Sequence, residues 1–567
     1  MSLQYLPIAL LLLVSPVFAQ KPNVVVIISD DAGYADWEFM DDYLQTLNPG
    51  QAASPVPTPN LNALRGRGTL LTSAYTAAVC SPSRAAIVTG SYQQRVGYEY
   101  NINNFMGATA IDGLSPDTPT IFDRMGAEGY TTGVIGKWHI GARANDNGLG
   151  NRPENQGVDE FFGIWKGSRN YTIGSETGSG ELRETITSPF SDTVLETAAP
   201  WNTTNNYVTN AFGIGAVDFI DRHYDDPDPF FLYVAFTAPH GPIGPSPDID
   251  DPRLAGLTDK RKDYASMVLT MDKEIGNILN KLDDPAGDGS ISLTDNTLVI
   301  FINDNGGANG IGTVNTPLNN FKGSVYEGGT RVPMIIAGPG LPENDTYHEP
   351  IHSIDILPTC LEAAGAIPPA DIDGVSLIPH LKGTTTEPPH EVLTIRSESK
   401  VGVRKGKWKL TSNSTSAPFS LFDLSSDIGE STNLANANPE IVEELLKDFT
   451  AFEVGADKPR HAGLNKSPGS INLNDRFILN PQPIDLGPFT SNLTLMGGAL
   501  LNGDFNAGGG SGAQTFDQTP NWQNIGTGAG SLNATQTSLD ANGTRNAIIA
   551  ESATREIGRE TNHSLAT

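Results

Sequence analysis

Short runs dense in β-branched and aromatic residues recur along the chain at residues 24–28, 131–135, 230–236 and 298–302. Each is followed by Gly, Pro or charged residues and then by a helical pattern. Alternation of this kind predicts a buried, largely parallel sheet flanked by helices, so the chain reads as α/β: a large mixed, mostly parallel sheet sandwiched by helices. In open α/β sheets, ligands bind beyond the carboxyl ends of the strands. The residues at those ends are polar: Asp30 and Asp31 after the first run, Lys137, Trp138 and His139 after the second, Pro239 and His240 after the third, Asp304 and Asn305 after the fourth. Any one of these clusters alone reads as an ordinary strand-end cap. Their recurrence at equivalent positions points to one shared rim of carboxylates, cations and imidazoles.

From about Pro388 the pattern shifts to short alternating runs, 401–404 and 407–410, then to a helical pattern over 439–452. This predicts a smaller antiparallel sheet closed by a helix. After Asp457 the chain is rich in Gly, Asn, Ser and Thr, with the run Gly508-Gly509-Gly510-Ser511-Gly512 inside it, and reads either as a flexible tail or as a β-rich accessory module. At 567 residues the chain exceeds what a single core usually organises. The expected division is a signal peptide at 1–19, a catalytic α/β unit at 20–387, an antiparallel subdomain at 388–457 and the Gly/Asn/Ser/Thr-rich extension at 458–567. The 60 Gly and 40 Pro weigh against long helical bundles.

A formal charge of −29 argues against a nucleic-acid partner, which needs a surplus of Lys and Arg. Any anion site must be local. The apolar run from Leu6 to Val14, ending in Val17-Phe18-Ala19, reads as a signal peptide without a basic n-region, and so as export to a periplasm or the medium. That run falls well short of the roughly 20 residues a membrane span requires, so no transmembrane anchor is expected. With only Cys80 and Cys360, a disulfide framework is ruled out as the organising device. Cys360 lies in an apolar helical stretch and reads as a small buried hydrophobe. Cys80 requires a different account.

That account begins with Cys80-Ser81-Pro82-Ser83-Arg84. Pro82 suits a first helical turn, which places Cys80 at a helix start, where free N–H groups and the dipole favour an anion and Arg84 adds a positive charge one turn on. The alternative is a buried cysteine beside a cap. Asp30, Asp31, Asp304 and Asn305 offer only hard oxygen donors, suited to Ca²⁺ or Mg²⁺, although Asp304-Asn305-Gly306-Gly307 also has the composition of an Asx turn.

The pentad resembles that of the formylglycine-dependent sulfatases of the alkaline phosphatase superfamily, whose C-x-P-S-R is matched at every fixed position. Further motifs of that family follow in order: Ser29-Asp30-Asp31-Ala32-Gly33-Tyr34, Gly136-Lys137-Trp138-His139-Ile140-Gly141, Ala238-Pro239-His240, Asn303-Asp304-Asn305-Gly306-Gly307, Phe321-Lys322-Gly323 and Glu327-Gly328-Gly329-Thr330-Arg331. The resemblance spans about residues 22–457. It implies oxidation of Cys80 to formylglycine by a formylglycine-generating enzyme, and calcium, in preference to magnesium, at Asp30, Asp31, Asp304 and Asn305. It further implies that Arg84, Lys137 and Lys322 bind sulfate, that Asp304 takes a proton from the nucleophile, that His240 protonates the leaving oxygen, and that His139 assists release. The implied activity is hydrolysis of sulfate esters, with a sulfated oligo- or polysaccharide as substrate class. A phosphonate or phosphate monoester hydrolase of the same superfamily, and a saccharide-binding protein with a disabled site, remain as alternatives. Trp165, Arg169 and Tyr171, in a loop-like segment, are candidates to line a sugar subsite. His223, His348, His352, His380 and His390 fall outside the motifs and read as surface or core residues.

Overall fold

The computed structural model describes residues 21–49, 56–102, 113–141, 151–175, 182–184, 193–194, 206–413 and 417–457, with the backbone of four short strands beyond. The main sheet comprises β1 (Asn23–Ser29), β2 (Thr69–Tyr75), β3 (Thr131–Lys137), β4 (Glu160–Ile164), β5 (Arg183–Glu184), β6 (Thr193–Val194), β7 (Phe230–Ala235), β8 (Thr297–Asn303), β9 (Arg331–Ala337), β10 (Asp345–Tyr347) and β11 (Ile351–His352). Their order is β10-β2-β9-β8-β1-β7-β3-β4-β5-β6, with β11 also on β2. The centre, β8-β1-β7-β3-β4, is parallel, whereas β9 runs antiparallel to both β8 and β2.

Each of the four runs seen in the sequence is a central strand, buried because helices cover both faces. Along β1, Val25 and Ile27 enter one core with Phe212 and Phe219 of the helix Val208–His223 and with Met267 and Ile275 of the helix Asp259–Asp283. Val24, Val26 and Ile28 enter the opposite core, with Ala85, Ile87 and Val88 of the helix Cys80–Thr89 and Leu357 and Cys360 of the helix Ile356–Ala363. The period-2 alternation of a strand thus feeds two cores at once. Cys360 is buried there, as its apolar neighbourhood predicts.

A second sheet follows, with β12 (Val392–Ser397), β13 (Lys400–Lys405), β14 (Trp408–Ser412) and β15 (Ser420–Asp423) paired antiparallel in sequence order. The helix Pro439–Val454 closes it through Leu445, Phe449 and Phe452 against Val401, Val403 and Leu410. Residues 1–20 and nearly all of 458–567 lie outside the described residues, and with them the expected signal peptide and the choice between tail and module. Among the described residues no helix is long and apolar enough to cross a membrane.

Candidate active site

Register brings four strand ends level. Ile28 pairs with Ala235, Ser29 with Asn303 and Gly136 with Ala235. Just beyond, the Asp30 amide donates to the Ala238 carbonyl and the Asp304 amide to the Ser29 carbonyl, each at 3.0 Å. Asp30, Asp31, Lys137, His240, Asp304 and Asn305 therefore converge because their strands stop at one height.

The helix Cys80–Thr89 faces this rim. Val79 is extended, Pro82 occupies the first turn, and the Ser83 hydroxyl lies 3.0 Å from the carbonyls of both Ala77 and Val79. The helix ends at Gly90, whose φ of 66° a residue with a Cβ would adopt only at a cost. Cys80 is the first helical residue and is buried. Its Sγ lies 3.0 Å from Lys322 Nζ and 3.5 Å from Asp30 Oδ1. Lys322 Nζ also sits 2.5 Å from Asp31 Oδ1. Arg84 grips Asp304 Oδ2 through Nε at 3.2 Å and Nη2 at 2.9 Å, while its Nη1 donates to the Lys137 carbonyl at 2.9 Å. Lys137 is ion-paired with Asp30, and His240 Nε2 stands 3.5 Å from Asp31 Oδ2.

These charges hold one another. Burial opposes ionisation of Asp30, but Lys137, then His240 and Arg84, hold its carboxyl far below the usual range. Burial likewise opposes the charge of Lys322, yet Asp31 keeps it well above its ordinary value. Asp304 is pushed up to about 6 by burial and then by Asp30, against Arg84. Burial pushes the Cys80 thiol up to about 12, leaving it protonated and a poor nucleophile as it stands. His139 is driven well below its ordinary value by burial and then by Lys137, so it stays neutral. Asp31 and His139 both sit in the left-handed region, at φ 65° and 57°, where strain collects at functional sites.

The donors suit a hard divalent cation. Asn305 donates through Nδ2 to Asp31 Oδ1 at 2.9 Å, and its Oδ1 is buried without a hydrogen-bond partner, a carbonyl available to a metal beside three buried carboxylates. Single donor atoms of Asp30, Asp31, Cys80 and His240 also lie within 4.8 Å of one another. A protonated thiol held by Lys322 makes a poor metal ligand, so the oxygen set fits better.

Of the residues singled out in the sequence, Cys80, Arg84, Lys137, His240, Lys322, Asp30, Asp31, Asp304 and Asn305 come together here. His139 lies alongside, its amide bonded to the Trp165 carbonyl at 3.0 Å and its ring against Gly167, where a Cβ would stand 2.4 Å from Nε2. Trp165, Arg169 and Tyr171 are all buried instead of standing on an exposed loop. The Trp165 ring lies between the guanidinium groups of Arg152 and Arg183, at 4.6 and 4.5 Å. Arg169 Nε donates to the Asn170 carbonyl at 2.8 Å, and the Tyr171 hydroxyl reaches backbone. The segment is loop-like, but it is packed under the rim.

Two supporting residues, Asp36 and Asn101, escaped the sequence reading, and a third, Glu327, appeared there within a motif but without a role. Asp36 is buried behind the Asp31 turn and accepts from Gly33 N at 2.9 Å and the Tyr264 hydroxyl at 2.6 Å. Asn101 Oδ1 accepts the Ser81 amide at 2.9 Å. Glu327 accepts from the Tyr75 hydroxyl and from Lys409 of β14 at 2.6 Å, tying the second sheet to the first. Asp36 leaves a sequence signal as an acid shortly after the paired acids, and Glu327 heads its quoted motif; Asn101 leaves none, since its partner lies 20 residues away.

Comparison with known proteins agrees with this geometry. The family described as Sulfatase matches residues 22–366, and the one described as N-sulphoglucosamine sulphohydrolase, C-terminal, matches 321–453. The chain is 30% identical to an N-acetylgalactosamine-6-sulfatase of Canis lupus familiaris, covering 77% of this chain and 80% of that protein. It is 29% identical to a sulfatase of Formosa agariphila, covering 76% and 88% respectively. The solved structure of Ps i-CgsB in complex with k-i-k-neocarrahexaose superposes with a TM-score of 0.68 at 26% identity, covering 80% of this chain and 97% of that one. With the ordered motifs folded onto one rim, these matches show that the chain belongs to the formylglycine-dependent sulfatase family and is a sulfuric ester hydrolase.

Proposed function

We propose that this chain removes sulfate from a sulfated oligo- or polysaccharide, using formylglycine made from Cys80 and a calcium ion held by Asp30, Asp31, Asp304 and Asn305. The observation that carries the reading is the seat of Cys80: buried, first in its helix, with Sγ 3.0 Å from Lys322 Nζ and 3.5 Å from Asp30 Oδ1. In the mature enzyme that Sγ stands in for a formylglycine oxygen. The hydrated aldehyde would supply one hydroxyl as nucleophile and a second whose deprotonation expels sulfate from the first as the carbonyl re-forms, and calcium would supply Lewis-acid stabilisation of the sulfate oxygens.

The chain's own residues do the rest. Arg84, Lys137 and Lys322 hold the sulfate in a water-poor pocket where each charge counts for more than in solution. Asp304, pushed up to about 6, is suited to taking a proton from the nucleophile. His240 is oriented by Nδ1, 2.6 Å from the Gly241 carbonyl, which leaves Nε2 to protonate the departing alcohol oxygen. His139, neutral and with Nδ1 unpartnered, would take the proton that accompanies sulfate release. Several neighbours support the saccharide class, Ps i-CgsB with its bound neocarrahexaose first among them. An apolar run at residues 6–14 supports export.

The test pairs chemistry with substrate. Mass spectrometry of the Cys80 peptide from active protein should show the aldehyde, Cys80→Ala should abolish sulfate release while keeping its fold, and defined sulfated oligosaccharides should outpace phosphate esters. A fully active enzyme carrying unmodified Cys80 would refute the proposal.

A further inference from the structure

The candidate general acid sits on a turn that has an anchor of its own. Residues 237–240 close through the His240 amide, which donates to the Thr237 carbonyl at 2.9 Å, and the Ala238 carbonyl receives the Asp30 amide at 3.0 Å. On the other side the Tyr171 hydroxyl lies 2.8 Å from the Thr237 carbonyl and 2.8 Å from the His240 carbonyl. A hydroxyl has one proton, so the two carbonyls share it in a three-centre bond spanning both ends of the turn. The Tyr171 ring cannot easily follow if the turn moves, because it is stacked on Tyr207 with centroids 5.2 Å apart and planes 21° apart. Strand pairing fixes the approach, with Thr172 bridged to Tyr207 and the Val208 amide on the Tyr171 carbonyl at 2.9 Å.

We propose that Tyr171 is a positioning residue for proton delivery to the leaving group: its hydroxyl clamps the backbone of the 237–240 turn and so fixes where His240 Nε2 stands relative to Asp31 and the departing oxygen. The inference rests on the proposed role of His240 as general acid. It gives the buried phenol a function that does not require it to touch sugar. A misplaced acid costs most where the leaving group most needs a proton, so its effect is graded by leaving-group basicity.

The experiment uses the full, formylglycine-bearing enzyme with Tyr171→Phe, which keeps the ring and its stack on Tyr207, alongside His240→Ala. The kcat and KM values are measured for a series of aryl sulfates whose phenols span a wide range of pKa, and thermal unfolding checks the fold. His240→Ala should lose roughly 10²–10⁴-fold in kcat on the most basic leaving groups and far less on the most acidic. Tyr171→Phe should show the same grading at smaller amplitude, roughly 10–100-fold at the basic end, with KM little changed. A uniform loss across the series, or a loss confined to KM, in Tyr171→Phe while His240→Ala remains graded would overturn the clamp and leave the acid standing. A flat series for His240→Ala would remove the acid assignment and the clamp with it.

Discussion

Asp36 offers the sharpest test of how the carboxylate rim is built. Its two oxygens receive Gly33 N at 2.9 Å, the Tyr264 hydroxyl at 2.6 Å, Arg261 Nη1 at 2.5 Å and Val314 N at 3.2 Å. Asp36→Ala removes the acceptor from all four donors. Arg261 retains the Gly312 carbonyl at 2.8 Å and is partly exposed, so its loss is softened. Gly33 N keeps the Tyr264 hydroxyl oxygen at 3.3 Å, whereas the Val314 amide and the Tyr264 hydroxyl proton are left to a small cavity, each at about 1–3 kcal/mol before water enters to compensate. The net expectation is a loss of about 4 kcal/mol in urea unfolding. The loop should also loosen where it matters, because Asp31 holds a positive φ that only its surroundings enforce. The calcium concentration giving half of the thermal stabilisation should therefore rise at least about tenfold, equivalent to about 1.4 kcal/mol. A stability loss under about 1 kcal/mol, or an unchanged calcium midpoint, would refute the reasoning.

Other perturbations separate electrostatic from geometric contributions. Arg84→Lys keeps the charge but cannot reproduce the two bonds to Asp304 and the one to the Lys137 carbonyl; kcat should drop by about 10²-fold or more in steady-state assays, and retention of most activity would mean that only charge matters. Chelation should lower both activity and the melting temperature, and calcium should restore them better than magnesium; unaltered behaviour in excess chelator would count against the oxygen ligand set. Glu430 is pushed up to about 7 by burial and by Glu327, against Lys409, from an ordinary 4.5. Its folded pKa is raised, so the folded state binds the extra proton and wild-type stability falls as pH rises from about 4.5 to about 7. Glu430→Gln should abolish this component, worth at most about 3 kcal/mol, so the wild-type-minus-variant stability difference should decline across that window and level off above it. A difference that does not change with pH would show that Glu430 stays ionised.

What was readable in the sequence follows from what each feature depends on. Local chemistry was legible: the runs that became β1, β7 and β8 are continuously apolar because both sheet faces are covered, β3 is β-branched through Thr131, Thr132, Val134 and Ile135, and Pro82 marked the helix start at Cys80. Long-range pairing was not. β2 and β9 escaped because Thr69–Tyr75 mixes Thr, Ser and Ala with apolar residues and Arg331–Ala337 carries a proline, so neither resembles the central runs. The mixed character of the sheet rests on β5 and β6 at one edge and on β9, whose direction follows from pairing with partners far away in the chain. Trp165, Arg169 and Tyr171 show the same limit at the site. Aromatic and basic residues between Gly and Asn suggest an exposed loop, and only the packing of Arg152 and Arg183 around Trp165 and of Tyr207 on Tyr171 reveals a buried wall.

The charge balance of the rim explains how a chain with a net charge of −29 can attract an anionic ester at one place. Asp30, Asp31 and Asp304 contribute three negative charges; Arg84, Lys137 and Lys322 contribute three positive ones, and the ion pairs among them are buried except at Lys322, which is partly exposed. Protein alone therefore makes a nearly neutral cluster in which each cation is committed to a carboxylate. A dication held by these oxygens would change this twice over. It would add two positive charges, and in sharing the carboxylates it would leave Lys137 and Lys322 less committed to them and more available to the substrate. Sulfate affinity and metal affinity would then be coupled through shared carboxylates. The coupling is reciprocal, so sulfate, the product, should tighten calcium binding by the same factor by which calcium tightens sulfate binding. Titrating calcium with and without saturating sulfate measures that factor, and a factor of one would mean that the two anchor to separate groups.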